Sequence, residues 1–321
     1  MKYFLIFQFI TTCLVMTSCQ KESNGDDNSN NNPGYVKGKN RFTITVDGTE
    51  REYYVHVPNS YTGNTAVPIV FMLHGTSGNG EEFYNHSGWK EVADTANFLA
   101  VFPSSMRYCI IDPQDGQKTT TKWNTPPDAE WVFCAGQNPK DDIKFLRTVI
   151  AELELKFKVN SKRIYLCGFS NGGQMAAKCA ISLSDKLAAV VESAGSFSID
   201  TTYIPLRKLP VLFQRGNEDY GPGNTGPALP LSRMNELIAV SNSTAWYRTS
   251  QAHIRNFTLN TSFVISGDTT KVSFADYSGT SGNPFKMAMI KGLAHAYPNS
   301  TNHPLHAATL NWQWFRQYSL P

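Results

Sequence analysis

Ser170 stands in Gly168-Phe169-Ser170-Asn171-Gly172, a G-x-S-x-G pattern. A serine hydroxyl is a weak nucleophile until a histidine takes its proton and a carboxylate holds that histidine in the right tautomer. Both residue types follow downstream. Glu218 and Asp219 occur in "QRGNEDYGPG" and His295 in "IKGLAHAYP", giving the chain order serine, acid, histidine. Such a set transfers an acyl group through an acyl-serine. The five-residue pattern alone is weak, since chance supplies about 0.1 matches in a chain of this length. Glu192 in "VVESAG" competes for the role of acid, and His303 and His306 are weaker candidates for the base.

The elements around these residues must then place them on one rim. "RIYLC" before Ser170 reads as a buried strand and "NGGQMAAKCAISL" after it as a helix, so the serine sits on a strand-to-helix turn. Glycine two before and two after the serine suits the crowding of that turn. Glu218, Asp219 and His295 each lie just past a short apolar run, "LPVLFQRG" or "FKMAMIKG". Ligands in open α/β sheets bind at the carboxyl ends of strands. A developing oxyanion needs two N–H donors. The backbone of Asn171 is one, and the backbone of Thr76, after the buried run "VPIVFMLHG", is the other.

Along the rest of the chain, residues 41–48 and 51–58 alternate apolar and polar around Asp47-Gly48, the signature of a hairpin. Residues 98–104 repeat the buried-strand pattern. Residues 141–159 carry Ile143, Leu146, Ile150, Leu153 and Phe157 on one helical stripe, with Asp141 and Asp142 at its start. A last helix falls at about residues 303–317. Residues 254–277 read as two alternating strands around Gly267-Asp268, and residues 104–138 as a long polar loop. Strands and helices alternate, so the class is α/β with a mostly parallel sheet.

Composition is that of a globular protein, with 41% hydrophobic and 17% charged residues among 321 and a formal charge of +3. No basic run is present, which argues against a nucleic-acid partner. Residues 1–18 read as a lipoprotein signal: Lys2, a short apolar stretch, then Met16-Thr17-Ser18 before Cys19, the residue expected to carry lipid and anchor the protein to a membrane. Residues 19–34 are polar and rich in Asn, Ser and Asp. They read as a flexible tether, leaving residues 35–321 as the catalytic domain. The protein is therefore expected to be exported, periplasmic or at the cell surface. In that setting Cys109 and Cys134 are able to pair, while Cys167 and Cys179 read as buried thiols. The seven histidines are scattered and no cluster has zinc-ligand spacing, so neither a metal nor another cofactor is expected.

Five motifs together, "LHGTSGNG", "DDIKFLR", "GFSNGG", Gly216-Asn217-Glu218-Asp219 and "GLAHAYP", resemble the α/β-hydrolase esterases that include feruloyl esterases, acetylxylan esterases and polyhydroxybutyrate depolymerase-like enzymes. The resemblance covers about residues 40–320. It implies an α/β-hydrolase fold. In that family the acid lies in a G-T-x-D segment, which favours Asp219 over Glu218. Asn217 replaces the usual threonine, and Ala296-Tyr297-Pro298 stand where Trp-Pro commonly follows the histidine.

The resemblance implies an ester substrate, with feruloyl or acetyl esters of xylan ahead of polyhydroxyalkanoates and generic carboxylic esters. Trp123 and Trp131, in the polar segment, are placed either to stack on a sugar or phenolic group or to pack beneath their own loop. Two readings of other kinds remain: a surface glycan-binding protein with vestigial catalysis, and a peptidase, because triads alone do not separate esters from amides.

Overall fold

The structure, a computed structural model, describes residues 34–125, 132–197, 203–239, 244–279 and 282–321. The expected signal, the tether with Cys19, and Trp131 lie outside them.

Strands β1 (Gly38–Val46) and β2 (Thr49–Val57) form the expected hairpin. Asp47 and Gly48 turn it with φ of 48° and 70°, the two left-handed residues that a type I′ turn requires. Every residue of β3 (Val67–Leu73) is buried. Helices α1 (Gly80–His86) and α2 (Trp89–Ala96) lead to β4 (Leu99–Pro103). Strands β5 (Met106–Asp112), β6 (Gly116–Lys122) and β7 (Val132–Phe133) form a separate antiparallel sheet in the order β6-β5-β7. Helix α3 (Asp142–Lys156) is capped by the Asp141 side chain, which accepts from the Lys144 N–H. Then come β8 (Val159–Phe169), α4 (Asn171–Ser182), β9 (Ala189–Ser193) and β10 (Val211–Gly216). Helices α5 (Met234–Ala239) and α6 (Ala245–Phe257), strands β11 (Leu259–Asp268), β12 (Val272–Gly279) and β13 (Pro284–Ile290), and helix α7 (Ala307–Phe315) complete the chain.

The main sheet has ten strands in the order β1-β2-β4-β3-β8-β9-β10-β13-β12-β11. From β4 to β13 neighbours run parallel, and an antiparallel hairpin closes each side. Both faces of the parallel part are covered. Along β3, Ile69, Phe71 and Leu73 enter one apolar core while Val70 and Met72 enter the other. That two-sided burial is why the central strands read as unbroken apolar runs.

Two expectations change, for residues 104–138 and 254–257, while the cysteines fall as expected. Residues 104–138 are not a bare loop, because β5, β6 and β7 build a small sheet within them. Its strands carry Thr119, Thr120 and Thr121 and alternate burial at Tyr108, Ile110 and Asp112, a polar version of the strand pattern. Cys109 and Cys134 are joined by a disulfide that pins this sheet, and Cys167 and Cys179 are free and buried. Residues 254–257 belong to α6 rather than to a strand. The buried face of α6 includes Thr249, Ser250, His253 and Asn256, which disguises its helical period.

Among the described residues, no helix is long and apolar enough to cross a membrane, and no group of His, Cys, Asp and Glu is arranged to hold a metal ion.

Candidate active site

Ser170 joins the end of β8 to the start of α4 with φ 55° and ψ −121°, a strained conformation for any residue with a side chain. The surrounding glycines make that turn possible. A Cβ on Gly168 would sit 1.9 Å from the carbonyl oxygen of Gly172, and one on Gly172 would sit 2.4 Å from that of Leu73. The Ser170 N–H donates to the Ser193 carbonyl at 2.8 Å, which ties the turn to β9.

His295 follows β13 and Asp219 follows β10, on the same rim. The Ser170 hydroxyl lies 2.9 Å from His295 Nε2, and His295 Nδ1 lies 2.9 Å from Asp219 Oδ1. A carboxylate only accepts, so Nδ1–H donates to it and Nε2 is left to accept from the hydroxyl. The Asp219 side chain is 0% exposed and that of His295 14%, so the imidazole is the part that meets solvent. Burial pushes the Asp219 carboxyl up. The His295 hydrogen bond, the Arg215 guanidinium and the Gly221 N–H outweigh it and hold the group below the usual range. Arg215 also donates to the Asp219 carbonyl at 2.7 Å, fixing backbone as well as charge. Phe169 packs its ring 5.1 Å from that of His295.

Glu218 makes no bond to His295, and its backbone N–H donates to the Leu293 carbonyl. Asn217 ties three segments together: its side chain donates to the Leu229 carbonyl and accepts from the Gly292 N–H. The acid loop and the histidine loop are thereby locked to each other. Glu192 is fully buried and pairs with His253, not His295. His303 bonds the Lys291 carbonyl, and His306 caps α7. None of these three reaches Ser170.

The backbone N–H groups of Thr76 and Asn171 have no hydrogen-bond partner among the described residues. Asn171 follows the serine directly, and Gly75, next to Thr76, lies against it, since a Cβ there would sit 3.2 Å from Ser170 Cβ. His74 holds the Thr76 loop in shape: Nδ1–H donates to the Gly75 carbonyl and Nε2 accepts from the Ser105 N–H. Complete burial lowers the pKa of His74 to about 4, so the ring stays neutral.

Trp123 corrects one expectation. It is 0% exposed, with its indole N–H donating to the His74 carbonyl, so it is no platform for a substrate. A cleft of about 450 Å³ opens instead beside the Thr76 loop. Phe83 and Phe169 line it with their rings stacked at 6.3 Å, with Glu82, His86 and Asn299 alongside. The roles of Arg215, Asn217 and the Asn171 side chain escaped the sequence reading. Only Arg215, a cation four residues before the acid, left a signal there.

A nucleophile elbow, a histidine and an acid on the rim of a parallel sheet with antiparallel wings define the α/β-hydrolase fold. Within it the chain belongs to the Esterase family, whose model matches residues 45–259. It is 29% identical over 175 residues to feruloyl esterase B of Piromyces equi, covering 53% of this chain and 29% of that protein. It is 26% identical over 155 residues to acetylxylan esterase A of Aspergillus ficuum, covering 47% and 46%. The chain spans about half or less of the curated relatives it matches. An acetyl xylan esterase from Aspergillus awamori shares the fold at a TM-score of 0.57 and 14% identity, covering 86% of this chain and 99% of that one. A poly(3-hydroxybutyrate) depolymerase from Bordetella parapertussis does so at 0.53 and 17%, covering 89% and 92%.

Proposed function

We propose that the protein is a serine esterase that hydrolyses carboxylic esters through an acyl-Ser170 intermediate. The observation that carries this reading is the hydrogen-bonded line from Ser170 Oγ through His295 to buried Asp219, with the unpartnered N–H groups of Thr76 and Asn171 near its serine end. In the first step His295 Nε2 takes the hydroxyl proton as Ser170 attacks the carbonyl carbon. Asp219 holds the imidazole in place and stabilises its cation. The N–H groups of Thr76 and Asn171 receive the oxyanion. His295 then gives its proton to the leaving alcohol, and water repeats the sequence to release the acid.

Feruloyl or acetyl esters of plant polysaccharide rank first as substrates. The names of the relatives support that order, as does the cleft beside the Thr76 loop, whose paired aromatic rings and polar rim suit a sugar or a phenolic group. An enzyme exported and tethered at Cys19 would meet such esters on polymer fragments. Polyhydroxyalkanoates and generic esters come next.

The test is turnover of p-nitrophenyl acetate, methyl ferulate, acetylated xylan and a peptide by the wild type beside Ser170→Ala. Ester turnover that falls by at least about 10⁴-fold in the variant is the expected result. No ester turnover by the wild type would leave a glycan-binding protein, and cleavage of the peptide alone would make it a peptidase.

A further inference from the structure

Two N–H groups that stabilise one oxyanion must keep a fixed spacing, yet Thr76 follows β3 and Asn171 opens α4. We propose that Trp123 is a positioning residue that sets this spacing by tying the two loops together; the inference rests on the esterase reading above.

Trp123 follows β6 of the small sheet, on a segment separate from both donor loops. Its indole N–H donates to the His74 carbonyl at 2.8 Å, on the Thr76 side. Its backbone N–H donates to Asn171 Oδ1 at 2.7 Å, on the Ser170 side. One residue thus grips both loops through its two donors. The Asn171 amide spends its remaining donors on Thr125 Oγ1 and Gln174 Oε1, which fixes the grip in direction. The rings of His74 and Trp123 pack 5.0 Å apart, so the imidazole that shapes the Thr76 loop leans on the same indole.

The loops meet closely enough for the grip to matter. A Cβ on Gly75 would lie 3.2 Å from Ser170 Cβ, and one on Gly172 would lie 2.5 Å from the His74 carbonyl oxygen. Ser170 Cβ and the Phe169 ring press directly on the Gly75 backbone there. Without the tie, the carbonyl of His74 loses its donor, and the Thr76 loop is held to the small sheet only beyond Thr76, by the Ser77 N–H on the Thr121 carbonyl and the Thr121 hydroxyl on the Gly78 carbonyl. The segment behind Trp123 is itself anchored. The Asn124 N–H donates to Asp142 Oδ2, and Asp142 forms a buried ion pair with Arg51 at 2.7 Å. Lys178 of α4 donates to the Asn124 carbonyl. The tie therefore hangs from a rigid point in the core rather than from a mobile loop. Displacement of donors by a fraction of an ångström weakens the transition state far more than the bound substrate.

Two variants and three readouts test this. Trp123→Phe removes the indole N–H together with part of the buried ring, and Asn171→Ala removes the acceptor of the Trp123 backbone while keeping its own N–H and the indole intact. Turnover of p-nitrophenyl acetate is measured with the inhibition constant of phenylboronic acid, whose boron becomes a tetrahedral anion on Ser170. Titration with a fluorophosphonate counts competent serines. The expected result is a fall in kcat of about 10- to 100-fold, KM within about threefold, and a matching weakening of the boronate, at a full count of titratable serines. Loss of kcat in proportion to lost serines, with boronate affinity unchanged, would make Trp123 merely structural and overturn the proposal. So would kcat within about threefold of wild type in both variants. If Trp123→Phe fails to fold, Asn171→Ala decides alone. Absence of turnover and of fluorophosphonate labelling in the wild type would instead strike the esterase reading.

Discussion

Of three histidine–carboxylate pairs among the described residues, that of His56 uses an exposed carboxylate, Asp94; the other two use buried carboxylates at nearly the same distance, and only one of them faces a nucleophile. On the rim, His295 meets Asp219 at 2.9 Å. In the core, His253 of α6 meets Glu192 of β9 at 3.1 Å, with both side chains 0% exposed. The difference lies in which ring nitrogen meets the carboxyl. At the rim it is Nδ1, so Nε2 is left as an acceptor for the Ser170 proton. In the core Nδ1 lies 2.8 Å from the Thr249 carbonyl, which only accepts, so Nδ1 carries the hydrogen there and Nε2 faces Glu192. The Phe285 ring covers the His253 imidazole face to face at 4.1 Å. One pair is built to pass a proton on and the other to hold one. A histidine beside a carboxylate is therefore no sign of catalysis until its other nitrogen has been followed.

The largest expected effect is at the rim. Asp219→Asn puts an amide against His295 Nδ1. If the amide N–H donates, the ring takes the tautomer with hydrogen on Nε2 and cannot accept from Ser170. The rate on p-nitrophenyl acetate should fall about 10⁴-fold with little change in KM. Glu218→Gln, next door but bonded elsewhere, should stay within about twofold of wild type. Reversed outcomes would move the acid to Glu218 and dissolve the comparison.

Much of this site could be read in the chain. Ser170, Asp219 and His295 each end or follow an apolar run, and strand ends in a parallel sheet converge on one rim. Glu192 shows what the run alone could not settle. It too belongs to such a run, but Glu192 lies inside β9, whereas Asp219 lies beyond the end of β10. For Trp123 the polar segment leaves both a stacking platform and a packed ring open. The threonines before it are strand residues of a small sheet, and its ring enters one of the two apolar cores, against His74. Helices α5 and α6 escaped notice because polar residues line the buried face of α6, His253 among them. Where polar side chains satisfy one another in the interior, hydrophobic periodicity carries no trace of the packing.

Another histidine sharpens the contrast by having no carboxylate at all. Burial lowers the pKa of His74 to about 4 from an unfolded value near 6.5. The unfolded chain therefore binds the proton first. The stability His74 contributes is complete above about pH 6.5 and is lost progressively as pH falls towards 4, by about 3 kcal/mol in total. Urea unfolding between pH 7 and 4.5 should show that decline, and histidine-labelled NMR should show a neutral His74 ring down to about pH 5. A ring that charges near pH 6.5 in the folded protein would contradict this.

The smallest expected effect comes from the same amide exchange made in the core. His253 already carries its hydrogen on Nδ1, so a neutral ring presents a bare Nε2 to residue 192. In Glu192→Gln the side-chain amide has an N–H to donate there, and the ring need not change tautomer. The other oxygen of Glu192 has no hydrogen-bond partner among the described residues, so the exchange breaks nothing on that side. Stability should change by less than about 1 kcal/mol and the esterase rate hardly at all. A loss above about 3 kcal/mol in urea unfolding would mean that the pair is a carboxylate and an imidazolium, because the amide would then leave a buried cation without its counter-charge. The exchange that disables the rim pair should thus be nearly silent in the core pair, for the single reason that the carboxyl meets the opposite nitrogen of the ring.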